Sequence, residues 1–76
     1  MRPEEFKGLL EQRPFVPFRI YVTGGSTYDI LHEDFVLPGR SLVTIGAVVG
    51  ADGIVDRVVH VPLIHINKTE MLQLVS

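Results

Sequence analysis

Residues 30–41 read ILHEDFVLPGRS and bring a histidine, two acids, a proline, a glycine and an arginine into one stretch of a largely apolar chain. An imidazole beside a carboxylate can bind a divalent cation or exchange a proton with a substrate, so His32, Glu33 and Asp34 are the first residues to weigh as chemistry. Their spacing limits them. Consecutive residues of a strand point to opposite faces, so the three could meet on one ion only if the backbone turns there. The structural alternative is that Glu33 and Asp34 open a turn, Phe35 and Leu37 plug the interior, and Arg40 pairs with an acid at the surface. Short polar residues clustered around Pro38-Gly39 are the usual material of loops, and this is the reading adopted.

Other constellations are weaker. His60 and His65, with His32, could supply a zinc site, but no H-x-H or H-x3-H pair brings two of them together. Alternation with Ile64 and Ile66 turns His65 to solvent, and His60, between Val59 and Val61, should point outwards too. No metal or cofactor is therefore expected. Ser26, Ser41 and Ser76 lie in turns or at the end without a G-x-S-x-G setting. Gly24-Gly25 and the G-A-D-G of residues 50–53 suit hairpins rather than a phosphate cradle, because no helix begins after either. Tyr21 and Tyr28 near Arg19 could stack on bases, although cross-strand packing explains them as well. The candidate binding surface is thus His32, Asp34, Arg40, Arg19 and Tyr21, and no residue is assigned as catalytic.

The elements that must carry these residues follow from period and punctuation. Residues 3–12, PEEFKGLLEQ, place Phe6, Leu9 and Leu10 at i, i+3 and i+4, with Pro3 fit for the first helical position and Glu4 and Glu5 in the first turn. From Phe18 the period changes to 2, predicting a strand over 18–23 with Phe18, Ile20 and Val22 on one face. Gly24-Gly25 closes a hairpin and residues 26–32 return, with Tyr28 and Ile30 together. Further strands are expected over 42–45, 54–61 and 63–67, a loop over 46–53, and a break at Pro62, which cannot donate to a ladder. The tail, 68–76, is expected as an extra edge strand or as a surface that another subunit covers.

One helix and five short antiparallel strands in a single domain, 1–76, predict a mainly β fold: a small, strongly bent barrel spanning 18–67. Of the 76 residues 46% are hydrophobic and 21% charged, which suits a folded domain. A core this small contributes only ~3–5 kcal/mol unless something reinforces it. Cysteine is absent, so disulfides and thiolate metal sites are excluded and self-association is the reinforcement left open. A net charge of -2 disfavours reliance on phosphate neutralisation, and hence RNA. No signal-peptide core and no membrane span is visible, and a cytoplasmic location is expected.

RPFVPFRIYVTGG, YDILHEDFVLPGRSLVTIG and LIHINKTE together resemble a family of small bacterial proteins with no assigned function. Its members carry a PFxPFxI strand, a D-G turn, an H-P-E segment, a G-R pair and a closing hIxxIE strand. Here Gly24-Gly25 stands where Asp-Gly is usual, and His32-Glu33-Asp34 where His-Pro-Glu is usual. The resemblance implies a fold and no activity. A looser resemblance is to the Sm-like barrels, which also run helix then five bent strands and form RNA-binding rings. Their pockets use an aspartate and an asparagine after the second strand and a short basic turn before the fifth. Asp34 and Arg40 answer to the first without the asparagine, and residues 61–63, Val-Pro-Leu, do not answer to the second.

The expected function is a non-catalytic SH3-like or Sm-like module that associates with itself or with a partner protein. The alternative is a single-stranded RNA-binding ring. A third class is a metal-dependent or acid/base enzyme using His32 with Glu33 or Asp34.

Overall fold

The computed structural model of the chain describes residues 1–72, with Val48 and Val49 described by their backbone alone. One α-helix, α1, spans Pro3–Leu10. Proline at its start has a φ already suited to helix, and the Glu5 carboxylate accepts from the Arg2 backbone N–H at 3.4 Å, using a donor the helix cannot satisfy itself. Its apolar stripe buries Phe6 and Leu10 fully and Leu9 in part.

Six strands follow: β1 Phe18–Val22, β2 Thr27–Ile30, β3 Val36–Pro38, β4 Leu42–Val49, β5 Val55–Pro62 and β6 Ile66–Met71. They form two three-stranded antiparallel sheets, in the orders β2-β1-β6 and β3-β4-β5. The β1–β2 hairpin turns on Gly24 and Gly25, whose φ angles of 97° and 98° lie where side chains with a Cβ are strained, as the sequence predicts. The period-2 reading of β1 also holds, with Phe18 and Ile20 buried and Arg19 and Tyr21 on the outer face.

Between the sheets lie Phe6, Leu10, Phe18, Ile20, Ile30, Val36, Val43, Ile45, Val61, Leu63 and Ile66. Phe18 is the hub. Its ring meets Phe6 edge-on at 5.7 Å between centroids and Phe15 at 6.2 Å. It thus ties α1, the loop after it and the central strand of one sheet together.

Several expectations need correction. The described residues form six strands rather than five, because the join between the second and third expected strands contains a strand of its own, β3, after a single 3-10 turn at Glu33–Phe35. In that join Val36 faces the core, while Phe35 is only half-buried and Leu37 is 72% exposed, so the interior is plugged one residue away from the two predicted. The expected loop over 46–53 is shorter, since β4 runs on to Val49. The expected strand at 63–67 begins as a 3-10 turn, Leu63–His65, which leaves Ile64 80% exposed instead of inward. Residues 68–71 of the tail belong to β6 and pair with β1, and the Leu72 N–H donates to the Pro17 carbonyl at 2.9 Å. The remainder of the tail, 73–76, lies outside the described residues.

Two substitutions test this packing. Gly8 sits inside α1, where an added Cβ would meet nothing within 4 Å. Gly8→Ala should therefore raise stability by about 0.5–1 kcal/mol in urea unfolding, with an unchanged slope. An unmoved midpoint would argue that α1 does not form in solution. Phe18→Ala should cost about 3–5 kcal/mol, comparable to what a domain of this size has, and should abolish the cooperative transition seen by circular dichroism.

Candidate functional site

The five residues singled out from the sequence fall into two groups that do not meet. Arg19 and Tyr21 stand on the outer face of β1, flanked by β2 and β6. Register places Asp29 and Glu70 on either side of Arg19, and Thr27 and Lys68 on either side of Tyr21. The Arg19 guanidinium donates to Asp29 through Nε at 2.6 Å and one terminal nitrogen at 3.2 Å, and its other terminal nitrogen lies 4.0 Å from Glu70 Oε1. The Tyr21 hydroxyl donates to the same Glu70 oxygen at 2.8 Å, and Lys68 Nζ sits 4.4 Å above the Tyr21 ring. Two cations and two carboxylates thus balance across three strands, with the tyrosine between them.

This pairing shifts both partners. The carboxylate of Asp29, then the Tyr21 hydroxyl, holds the Arg19 guanidinium more firmly protonated than usual. The hydrogen bond from Arg19 holds the Asp29 carboxyl below the ordinary carboxylate range. For base stacking or phosphate capture, Arg19 would have to leave two carboxylates and Tyr21 would have to shed the lysine over its ring.

The tripeptide His32-Glu33-Asp34 diverges. His32 is extended, and its ring packs edge-on against Phe35 at 5.7 Å, at the rim of a cavity between the two sheets. Glu33 turns the other way and pairs with Arg13 at 2.9 Å. Asp34 lines a separate, shallower hollow with Leu37, Thr44 and Val58 on the outer face of the second sheet. The 3-10 turn sends the three side chains in three directions, which is why they do not build a common centre. Among the described residues no group of three or more His, Cys, Asp or Glu is placed to hold a metal ion. Arg40 is exposed in the β3–β4 turn and, contrary to expectation, has no ion-pair partner among the described residues. His60 and His65 face outwards as expected, and His60 Nδ1 lies 2.9 Å from Thr44 Oγ1.

A concave feature of about 440 Å³ lies between the two sheets, at the end of β2 and the second half of β4. Ile30, Val36 and Ile45 form its floor, while Leu31 and Ala47 stand on its rim. An adjoining hollow of about 360 Å³ continues it along β2 and shares Asp29, Leu31, Ile45 and Ala47. Of the predicted residues His32 lines the first part and Arg19 the second. The small residues Gly46, Ala47 and Gly50, which complete it, were assigned from sequence to a loop. The signal available was the run G-A-V-V-G-A, since small residues inside a strand mark a bulge or a close approach.

With this fold and surface in view, comparison with known proteins finds nothing further: no protein-family model, curated protein or solved structure matches the chain. The class is therefore defined by architecture alone, a mainly β chain of two three-stranded sheets headed by one short helix. No helix among the described residues is long and apolar enough to cross a membrane.

The Arg19–Asp29 pair makes a pH-dependent prediction. Because Asp29 is easier to ionise folded than unfolded, its contribution is complete above the ordinary value of 3.8 and is lost as pH falls from there through the lower folded value. In an NMR titration the Asp29 carboxyl should show a midpoint below 3.8, and Arg19→Gln should return it towards that value. A midpoint unaffected by Arg19→Gln would show that the pair is not formed in solution.

Proposed function

We propose that this chain is a non-catalytic interaction module of the small SH3-like or Sm-like barrel kind, which associates with copies of itself through the second sheet. The barrel reading is supported by the way β2 and β3 lie on opposite sheets with one 3-10 turn between them, as halves of a single bent strand would. A second 3-10 turn, Leu63–His65, bridges the sheets. Its Leu63 N–H donates to the Ser41 carbonyl at 2.9 Å, and its His65 carbonyl accepts from Thr23 N–H at 2.8 Å.

The observation that carries self-association is the outer face of β3-β4-β5. Val36, Val43, Ile45 and Val61 face the core, so the alternate residues Leu37, Leu42 and Val58 share the outer face, where they are 72%, 38% and 51% exposed. Leu37 lies across from Thr44 and Val58 across from Gly46, leaving an apolar surface with few charges. Beside it runs β5, an eight-residue strand at the edge of its sheet. The strand itself carries Asp56, Arg57 and Pro62, the kind of residues that blunt an edge, so the apolar face beside it is the surface left to cover. A second copy covers this face, at roughly 25 cal/mol per Å² of apolar surface buried, and supplies the reinforcement that a 76-residue chain without cysteine lacks. The sequence also offers Val48, Val49, Ile54 and the segment 71–75 as exposed apolar material; Ile54 and Met71 are exposed, while the side chains of Val48 and Val49 and residues 73–75 lie outside what the structure describes.

Light scattering on the purified chain should give a mass of a dimer or more. Leu37→Asp combined with Val58→Asp should give a monomer with an unaltered circular dichroism spectrum. A wild-type monomer at about 1 mM, where even millimolar affinity would be visible, would end this reading.

A further inference from the structure

We propose that the cleft between the two sheets is a docking site for an extended, basic polypeptide segment of a partner protein, which adds as a strand to the free edge of β2. β2 lies at the edge of its sheet and makes no ladder with β4 across the cleft. The Val22 N–H donates to the Ser26 carbonyl at 2.9 Å, which fixes the alternation of bonded and non-bonded pairs down the β1–β2 hairpin. Ser26, Tyr28 and Ile30 therefore turn their main-chain groups towards β1. Thr27 and Asp29 turn theirs into the cleft, where they meet no other strand among the described residues.

The gap is built into the opposite wall. β4 pairs with β5 through Gly46↔Val58 and then Val48↔Arg57, so Ala47 is an extra residue with no partner. Such a bulge bends its strand and ends local pairing. Here it occurs where β4 passes β2, and Ala47 lines both parts of the cleft. Among the described side chains, those of β4 and the loop after it that line the cleft beyond Ile45 are small, at Gly46, Ala47 and Gly50. A strand edge offering alternating donors and acceptors above an apolar floor suits an extended peptide, which offers the same alternation in return. A helix has already used its own main-chain groups.

Charge selects the segment. Asp29 is neutralised by Arg19 and Glu33 by Arg13. At the end near Gly50, Asp52 and Asp56 have no ion-pair partner among the described residues, and a Cβ at Gly50 would stand 2.9 Å from Asp52 Oδ1 and 3.5 Å from Asp56 Oδ2. Both carboxylates therefore lie beside Gly50, which lines the cleft, and Asp52 Oδ1 also accepts from the Ile54 N–H at 3.0 Å. Alternation along an added strand would direct apolar side chains to the floor formed by Ile30 and Ile45, and basic ones to these acids. Phosphate-bearing chains are disfavoured by the same charge.

The inference shares with the self-association reading only the premise that the chain binds protein, and it uses a different surface. The test titrates the isotope-labelled full chain with the capped peptide KVKVTVK, the acidic counterpart EVEVTVE, and KVKVTVK N-methylated at alternate residues. Amide shifts should move at Thr27, Asp29, Leu31, Ile45 and Ala47 with KVKVTVK, and about tenfold more weakly with either control. Asp56→Asn, a surface change that should leave the fold intact, should weaken binding about threefold, as expected for loss of one exposed ion pair. Ala47→Phe should abolish it by filling the cleft. No shifts at about 5 mM peptide, equal binding of the acidic or N-methylated peptide, or shifts confined to Leu37 and Val58 would each overturn the proposal. Light scattering on the same samples reads self-association separately, so either idea can fail alone.

Discussion

Among the described residues the two sheets share no ladder, so what keeps them together is the apolar layer between them, and that layer is centred on Phe18. The ring belongs to the central strand of one sheet, touches Phe6 from the helix and Phe15 from the loop, and shares its layer with Val43 and Ile45 of β4. Hydrogen bonds between the sheets are few, notably those around the 3-10 turn Leu63–His65, while the N-terminal ammonium donates to the Leu63 carbonyl at 3.0 Å. Such bonds set the angle between the sheets, but each contributes only about 0.5–1.5 kcal/mol, and burial of the aromatic and branched side chains supplies the larger share.

That arrangement has a consequence for the surface. A chain split into two three-stranded sheets has four edge strands where a closed barrel has none, and among the described residues these are β2, β6, β3 and β5. The edges are treated differently. β5 borders an apolar face, whereas β2 borders a cleft with an apolar floor and acids at one end.

The polar residues that first suggest chemistry end as parts of this scaffold. Arg19 and Tyr21 belong to a balanced ladder of charges across three strands, and Glu33 fastens the join to the loop after the helix. His32 and Asp34 reach opposite sides of the second sheet, although only one residue separates them in the chain. Proximity in sequence was misleading because a 3-10 turn rotates successive side chains by about 120°.

The sequence by itself determined the helix, the β1–β2 hairpin and the inward set Phe18, Ile20 and Ile30, since period, proline and paired glycines act over a few residues. It also placed His60 and His65 on the surface. It did not determine which residue of Phe35-Val36-Leu37 turns inward, where β4 ends, or that Ile64 is exposed. Those depend on a phase set by partners distant in the chain: Val36 by its register with Ile45, Ala47 by the length of β5 opposite it, and Ile64 by a turn whose Leu63 N–H is anchored on Ser41. The cleft has the same origin, because it is the space between two strands that local rules form separately and only tertiary packing sets side by side.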